Sequence, residues 1–162
     1  RGQRPNLWDH SLRVPTAVRW PGVVKPGTVI ERTISFLDWY PTFVALAGAK
    51  LPENETIRGR NFLPLLRGEN PADWEDGFFF QYSTKHQSRT HMRAWRTPEW
   101  KLVRDFLNPE RDELYDLRAD PDESNNLIRS KKPEHLAIVK KHHALILAKM
   151  KETNDPVLKT AK

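Results

Sequence analysis

Apolar residues in the first half of the chain recur at spacings that predict one strand and one main helix. The β-rich run Val14–Trp20 ends at a Pro-Gly pair, which favours a turn, and so predicts a short strand. Asp38 precedes a proline in the first turn of an apolar segment, which predicts a helix over 38–47 with Asp38 as its N-cap. The face predicted to be buried carries Tyr40, Phe43, Val44 and Ala47, and Gly48 ends the helix. A second helical turn is predicted over Asn61–Leu66.

The second half alternates apolar and polar residues and predicts an antiparallel sheet followed by a long helix. Thr97-Pro98 separates two strand patterns and therefore predicts a hairpin. The predicted strands are Phe78–Ser83, Met92–Arg96, Trp100–Phe106 and Glu113–Leu117. The predicted helix, Pro133–Lys151, carries an apolar stripe formed by Leu136, Val139, His143, Ile146, Leu147 and Met150.

These elements predict an α/β (α+β) fold in which a small antiparallel sheet, packed by the long C-terminal helix, is appended to an α/β piece. A polar stretch over residues 69–77 predicts two domains, 1–75 and 76–162. Six tryptophans, three tyrosines and seven phenylalanines argue against disorder. The absence of cysteine excludes disulfides, thiolate metal ligands and a cysteine nucleophile. No apolar run approaches the ~20 residues that span a bilayer, so we expect no membrane span.

The net charge of +6 is concentrated at the C-terminal end. Residues 131–162 contain eight lysines and three acidic side chains, but no arginine and no Phe, Tyr or Trp. Proteins that read nucleic acids favour arginine and often add aromatic residues for stacking. We therefore interpret this segment as a solvated helix face and expect no nucleic-acid partner, with weak attraction of anions as the alternative.

Motifs of common catalytic sites are missing, because the chain has no Gly-rich phosphate loop, no Gly-x-Ser-x-Gly and no His-Glu-x-x-His. Six acidic side chains between residues 112 and 123 suggest calcium, but they lack the central glycine of an EF-hand loop. Asp120-Pro121 instead predicts a turn, with Ser124 or Asn125 as a cap. Structural or solvent-facing roles are predicted for His86, His91, His142 and His143.

The richest candidate site is the segment that leads into the first predicted strand. It contains Arg4, Trp8, Asp9, His10 and Arg13. A loop that enters a strand often presents polar groups at a sheet edge, where α/β enzymes bind their ligands. Arginine offers forked donors that suit sulfate or phosphate. The alternative is an ion pair between Arg13 and Asp9 that only organises the loop.

Several ordered blocks of the sequence resemble the late part of the sulfatase family, which belongs to the alkaline-phosphatase-like superfamily. The family's Arg-Val-Pro and Trp-Pro-Gly motifs are matched by residues 13–15 and 20–22, and its Asp-x-x-Pro-Thr helix by residues 38–42. Further similar blocks are Gly59–Gly68, Met92–Thr97, Lys101–Val103, Glu113–Leu117 and Asn125–Leu127.

The resemblance implies that the chain is the C-terminal portion of a sulfatase that hydrolyses sulfate esters. Family members use a formylglycine, made from a Cys/Ser-x-Pro-x-Arg motif, and calcium held by upstream acidic motifs. Neither motif occurs here. We therefore expect this chain to bind no cofactor and to be inactive alone, while the parent enzyme uses Ca²⁺ and formylglycine. The absence of an initiator Met and of a signal-peptide pattern suggests a processed or excised chain.

Two site residues follow from the same resemblance. Arg4 stands where some members have a late lysine that contacts the sulfate, and His10 is near enough to reach the substrate. Trp8-Asp9 replaces a Tyr-Glu pair that we expect to be structural, and residues 84–93 are expected at the rim of the substrate pocket.

The implied partners are a sulfated small molecule or saccharide and the missing N-terminal portion of the enzyme. Without that portion, residues 14–47 are expected to expose apolar surface, through which the chain could form a homo-oligomer. The implied location is periplasmic or secreted. Two alternatives stay open: a non-catalytic binding or interaction module, and a piece of a related phosphoryl-transfer enzyme.

Overall fold

The computed structural model describes residues 5–85 and 88–159 and divides the chain into two compact units. One unit combines Arg1–Val14 with Gly77–Lys162, and the other is Pro15–Asp76. In chain order the regular elements are α1 (Asp9–Leu12), α2 (Trp39–Leu46), α3 (Leu63–Leu66), β1 (Phe78–Lys85), β2 (Arg89–Arg96), β3 (Trp100–Asp105), β4 (Glu113–Asp116) and α4 (Pro133–Glu152). The predicted domain boundary at residues 75 and 76 stays a prediction.

The first unit is built on one antiparallel sheet in the order β1-β2-β3-β4. All four predicted strands are present, and the chain reverses between β2 and β3 at the predicted Thr97-Pro98 hairpin. The Thr97 N–H donates to the Trp100 carbonyl (2.8 Å), which closes this turn. The predicted antiparallel sheet with a long C-terminal helix is confirmed.

Both faces of this sheet are covered. On one face, α4 and the 3-10 turn Pro156–Lys159 contribute to a core that contains Trp95, Leu102, Leu114, Ile146, Met150 and Val157. On the other face, the segment that contains α1 packs Leu7 against Met92, Ala94 and Val103. The inner strands β2 and β3 therefore alternate between two buried environments, which leaves little room for an exposed side chain along them.

Most of the apolar stripe predicted for α4 is confirmed, because Ile146 and Met150 are in the core and Val139 and Leu147 pack against it. Its first position is wrong, since Leu136 is 54% exposed and the neighbouring His135 is buried instead. The His135 ring lies edge-on to Trp100 with 5.6 Å between ring centroids, so histidine takes the place at the first turn that the pattern assigned to leucine. An imidazole packs like an apolar ring when its polar atoms are satisfied, which a hydrophobicity pattern does not register.

In the second unit the predicted strand Val14–Trp20 is wrong, because residues 13–20 have no regular secondary structure. Most of these side chains are exposed. A strand needs a hydrogen-bonded neighbour, and the described part of this unit offers no other strand to pair with. Regular structure begins instead at a 3-10 turn, Phe36–Asp38, that runs directly into α2.

Asp38 occupies the predicted N-cap position of α2, but its side chain makes no cap bond there and instead completes a capping box with Ser35 at the preceding 3-10 turn. The Ser35 hydroxyl accepts from the Leu37 N–H (3.2 Å), and the Asp38 carboxylate accepts from the Ser35 N–H (2.6 Å). The same carboxylate accepts from the Arg60 N–H (2.7 Å), which ties the loop before α3 to this turn. Gly48 has a φ of +65°, as expected for a residue that ends a helix in the left-handed region.

The buried face predicted for α2 is also wrong. Pro41 and Thr42 are buried, whereas Tyr40 and Phe43 are 50% and 57% exposed. Thr42 faces inward because its hydroxyl donates to the Asp38 carbonyl (2.7 Å) and accepts from the Phe62 N–H (3.0 Å). Exposed apolar side chains are present over residues 14–47, as the resemblance implied, and they are Val14, Val29, Phe36, Leu37, Tyr40, Phe43 and Leu46.

No helix among the described residues is long and apolar enough to cross a membrane.

Candidate functional site

A buried ion cluster in the first unit fixes the segment that carries the sequence-predicted site. Its members are Asp9 at the start of α1, Arg96 at the end of β2, Lys101 in β3 and Glu123 in the loop after β4. Three of the four side chains are at most 8% exposed, and Arg96 is 19% exposed. We call this set the Asp9 cluster.

Lys101 is the centre of the Asp9 cluster because its ammonium has no access to solvent. Its Nζ donates to the Leu7 carbonyl at 2.8 Å and to Asp9 Oδ1 at 2.7 Å, and it contacts Glu123 Oε1. Two of the three N–H donors of the ammonium therefore have hydrogen-bond acceptors, and Glu123 adds an ion pair. A fully buried lysine is tolerated only when it is paired in this way.

Asp9 joins the α1 segment to the sheet, because both oxygens of its carboxylate and its backbone N–H form hydrogen bonds. Arg96 donates to Asp9 Oδ2 from Nη2 (2.8 Å) and Nε (3.1 Å), and the Asp9 N–H donates to Glu123 Oε2 (2.6 Å). Burial alone raises the pKa of Asp9, but the hydrogen bond from Arg96 and the charge of Lys101 outweigh it, so this pKa lies below its ordinary value. Asp9 is therefore charged at neutral pH and acts as a fixed anchor.

Glu123 enters the cluster from a tight turn in the acidic run. Its backbone has a φ of +52°, a left-handed conformation that few non-glycine residues adopt. The turn is closed by Asp120, whose carboxylate accepts from the N–H groups of Ser124 (2.9 Å) and Asn125 (2.7 Å). The predicted turn at Asp120 is confirmed, but the sequence pattern missed the role of Glu123.

Glu113 lies beside the Asp9 cluster and has a strongly raised pKa. The net pKa is about 7: burial raises it most and the charge of Glu123 adds to this, while hydrogen bonds from Trp8 and Tyr115 and the charge of Lys101 lower it. A cleft of about 320 Å³ opens here, and its lining includes Pro5, Met92, Asp112, Glu113 and Asn126. Near neutral pH this carboxyl group can therefore donate or accept a proton at the wall of a cleft.

The sequence-predicted residues separate in space. His10 follows Asp9 directly but points outward, with a side chain that is 69% exposed and an Nε2 that lies 3.3 Å from Asp122 Oδ1. Arg4 lies outside the described residues. The Arg13–Asp9 ion pair is wrong, because Asp9 pairs with Arg96 and Lys101. Arg13 contacts Asp9 only through its backbone N–H, which donates to the Asp9 carbonyl (2.8 Å).

The remaining histidines and acidic residues form no metal site in the part of the chain that is described. No group of three or more His, Cys, Asp or Glu side chains converges there. His142 is buried and its Nδ1 lies 3.1 Å from the Ile138 carbonyl, and burial lowers its pKa. His143 stacks on Phe106, with 6.3 Å between ring centroids. Both have the structural role predicted for them, whereas His86 lies outside the described residues.

Comparison with known proteins identifies the family. The sequence model of a family described as N-sulphoglucosamine sulphohydrolase, C-terminal, matches residues 3–152. The chain belongs to the sulfatase family. This match spans both units and includes the α1 segment, the sheet and all of α4.

Individual sulfatases match the same region. The steryl-sulfatase of Rattus norvegicus is 32% identical over 86% of this chain. The N-acetylglucosamine-6-O-sulfatase of Bacteroides thetaiotaomicron is 30% identical over 75% of it. A protein solved in complex with its substrate D-glucosamine-2-N,6-O-disulfate covers 86% of the chain at 29% identity, with a TM-score of 0.67. The structure of a 2-O GAG sulfatase covers 77% of the chain at 28% identity, with a TM-score of 0.63, so the fold is that of sulfatase structures.

The match covers only part of each relative. This chain spans 28% of the rat steryl-sulfatase, 22% of the Bacteroides sulfatase and 28% of the solved structure. Its sulfatase relatives therefore contain a much larger part with no counterpart in this sequence.

Proposed function

We propose that this chain is the C-terminal part of a larger sulfatase that hydrolyses sulfate esters of saccharides. The observation that carries the proposal is the Asp9 cluster, which fixes Leu7 and Asp9, three and five residues after Arg4, to the inner strands of the sheet. Such a fixed loop is what a substrate-binding cation needs, because catalysis depends on groups held in one geometry. The sulfated glucosamine bound by one similar protein supports a saccharide substrate.

In this proposal Arg4 and His10 contact the sulfate ester, and the α1 segment positions them. Arginine suits the role because its planar donors match a tetrahedral oxyanion and its charge is permanent. His10 sits on the solvent-facing side of α1 beside Asp122, so it can donate to an anion when it is protonated.

The parent enzyme, rather than this chain, supplies the chemistry of bond cleavage in our proposal. The carboxylates that converge in the described residues, Asp9 and Glu123, are held by Arg96 and Lys101, and they do not fit a calcium site. We therefore assign Ca²⁺ and the formylglycine nucleophile to the upstream part of the parent and derive no step from them. The isolated chain is expected to be inactive. A periplasmic or secreted location belongs to the same proposal.

The exposed apolar surface of the second unit supports a missing portion of the enzyme as partner. Phe36, Tyr40 and Phe43 are 71%, 50% and 57% exposed and lie on or directly before one short helix. Large apolar side chains grouped in this way mark surfaces that another protein part covers. We propose that the upstream portion of the sulfatase covers them, and a homo-oligomer of the isolated chain is the alternative.

Sulfate release by the complete enzyme tests the proposal. The complete reading frame that encodes this chain is expressed with formylglycine formation and assayed on glucosamine 6-sulfate and glucosamine 2-N,6-O-disulfate. We expect sulfate release by the complete enzyme and none by residues 1–162 alone. Arg4→Gln is expected to lower kcat/KM by about a hundredfold, as removal of one charged donor to a reacting oxyanion does.

Three outcomes of these assays would contradict the proposed function, and each would favour a different alternative. A complete enzyme that releases phosphate but no sulfate would support the phosphoryl-transfer alternative. Sulfate release by residues 1–162 alone would contradict the assignment of catalysis to the upstream part. A complete protein that binds sulfated sugars and hydrolyses none would support the binding module. Lys140→Gln, on the exposed face of α4, is the matched control for Arg4→Gln and leaves kcat/KM unchanged.

A further inference from the structure

The register of the sheet places cations opposite each other at three positions. The cross-strand partners are Arg96 with Lys101, Arg93 with Arg104, and Lys85 with Arg89. Like charges directly opposite each other on neighbouring strands are destabilising. A buried pair therefore needs an anion to offset the repulsion, and an exposed pair, which water screens, attracts one.

The protein supplies carboxylates to the first two pairs. Asp9 lies between Arg96 and Lys101 and binds both, at 2.8 Å and 2.7 Å. Arg93 Nη2 donates to Asp155 Oδ1 at 2.9 Å. Arg104 Nε lies 3.1 Å from Asp112 Oδ2. These two pairs are neutralised from within the fold.

The third pair has no such partner. In the described residues 5–85 and 88–159, neither Lys85 nor Arg89 forms an ion pair with a carboxylate. Both side chains are exposed. Two carboxylates act on His91, two residues further along β2. Asp155 is already bound by Arg93, and Asp105 accepts from the His91 N–H (3.0 Å) and from the side chains of Thr90 and Asn108. The Lys85–Arg89 pair is therefore open to an anion from outside.

The pair also borders a cleft. A volume of about 350 Å³ is lined by Thr84, Lys85, Arg89, His91 and Leu107. Three of these side chains, those of Lys85, Arg89 and His91, are of types that bind oxyanions. The other two are the hydroxyl-bearing Thr84 and the apolar Leu107, which is 46% exposed. His91 is oriented by Ser83, whose Oγ lies 3.0 Å from His91 Nδ1, so that its Nε2 is the ring nitrogen left for a ligand. We call this the hairpin cleft.

We propose that the hairpin cleft binds a sulfate group of a saccharide that carries more than one sulfate. Lys85 and Arg89 donate to the sulfate oxygens, His91 adds a third donor, and Leu107 packs against the sugar ring. The sulfate thus neutralises Lys85 and Arg89 in the same way that the Asp9 carboxylate neutralises Arg96 and Lys101. This inference rests on the proposed saccharide substrate, to which it adds a second sulfated sugar. Arg89 lies seven residues before Arg96 on β2, about 23 Å away, and Arg96 binds the residue next to His10. The sulfate in the hairpin cleft therefore belongs to a sugar other than the one that is cleaved, and it is bound and not hydrolysed.

Direct binding to residues 1–162 tests the inference without any need for activity. The probes are glucosamine 6-sulfate and glucosamine 2-N,6-O-disulfate, and the readout is the movement of backbone amide signals in an NMR titration. We expect the disulfate to move the amides of Lys85, Arg89 and His91. The double variant Lys85→Gln/Arg89→Gln is expected to weaken disulfate binding by about tenfold or more, since each charge-assisted hydrogen bond contributes that much.

Two further variants separate a site from general charge and from misfolding. Lys140→Gln/Lys141→Gln removes the same charge from the exposed face of α4 and is expected to change the affinity by less than about twofold. Lys85→Glu places a carboxylate opposite Arg89, so it is expected to abolish binding while raising the thermal unfolding temperature.

Equal weakening by both double variants would overturn the proposal, as would disulfate binding that leaves the hairpin amides unmoved. Loss of binding in Lys85→Glu together with a lower unfolding temperature would also count against it. The proposed function fails separately, through absence of sulfate release by the complete enzyme. An active complete enzyme whose disulfate affinity survives Lys85→Gln/Arg89→Gln refutes the hairpin cleft alone.

Discussion

Removal of the Lys101 charge is the sharpest test of the Asp9 cluster. Lys101→Met keeps the length of the side chain but deletes an ammonium that has no solvent access. Asp9 and Glu123, which are 8% and 1% exposed as side chains, would then face each other with only Arg96 to offset them. Breaking a buried ion pair by removing one partner costs about 3–5 kcal/mol. That is a large share of the roughly 5–15 kcal/mol that stabilises a domain.

The free energy of unfolding that Lys101→Met loses should depend on pH, and the direction of this dependence follows from the protons that the folded variant binds. Without Lys101, the pKa of Asp9 in the folded state rises relative to wild type, because only Arg96 then opposes the effect of burial. The folded variant therefore binds more protons than folded wild type, so its deficit in stability grows as pH rises. The deficit of Lys101→Met against wild type is therefore larger at pH 7.5 than at pH 5.

Amide hydrogen exchange in β3 measures this deficit in the first unit by itself. At about 1.4 kcal/mol per factor of ten, the expected loss lowers the protection of the Leu102 amide by about a hundredfold to several-thousandfold at pH 7.5. Lys140→Met on α4 is the matched control, with an expected change below about 0.5 kcal/mol because that side chain is exposed. Protection that stays within a factor of three of wild type, or a deficit that does not change with pH, would refute this account.

Three further predictions concern single contacts. Glu113 has a pKa of about 7, above its ordinary 4.5, so its contribution to wild-type stability is lost as pH rises from 4.5 to 7. Glu113→Gln removes this titrating group. Urea unfolding at pH 8 should therefore show the variant to be more stable than wild type by at most about 3 kcal/mol. Thr42→Val leaves the buried Phe62 N–H without its acceptor and should cost about 1–3 kcal/mol, measured by amide exchange in α3. Asp155→Asn leaves Arg93 buried without its counter-ion and should cost about 3–5 kcal/mol, measured by thermal unfolding. A loss below about 1 kcal/mol in Thr42→Val or in Asp155→Asn would contradict the role given to that side chain.

The sheet could be predicted because its signals are local. Thr97-Pro98 interrupts an alternating pattern, and a hairpin needs only neighbouring residues to form. The strand predicted at Val14–Trp20 had the same local composition but has no paired neighbour in the described unit, since pairing depends on residues far away in sequence. β-propensity describes a fit to a half-buried pleated surface and does not create that surface.

The candidate site could be predicted only in part for the same reason. Asp9 stood out in the sequence, but its partner Lys101 is 92 residues away and Arg96 is 87 residues away. One signal was available: Lys101 lies between Trp100 and Leu102 in the middle of a strand, where an unpaired lysine is costly. The capping box was likewise visible as Ser35 three residues before Asp38, but the pattern assigned the cap to the aspartate alone.

Whether the Asp9 cluster exists for stability or for position can be decided with one double variant. Buried ion pairs often stabilise a fold no better than apolar residues of similar size, so stability alone does not explain a cluster of this kind. Lys101→Met/Glu123→Met removes both charges of one contact and should recover at least half of the free energy lost in Lys101→Met. It also removes the acceptor of the Asp9 N–H and two of the bonds that hold α1 on the sheet. We therefore expect the amides of Asp9–Leu12 to exchange as fast in the double variant as in Lys101→Met, and faster than in wild type. The Leu102 amide should regain its protection. Recovery of both regions together would mean that the cluster stabilises the unit without positioning α1, and the proposed role of this segment in holding Arg4 and His10 would lose its structural basis.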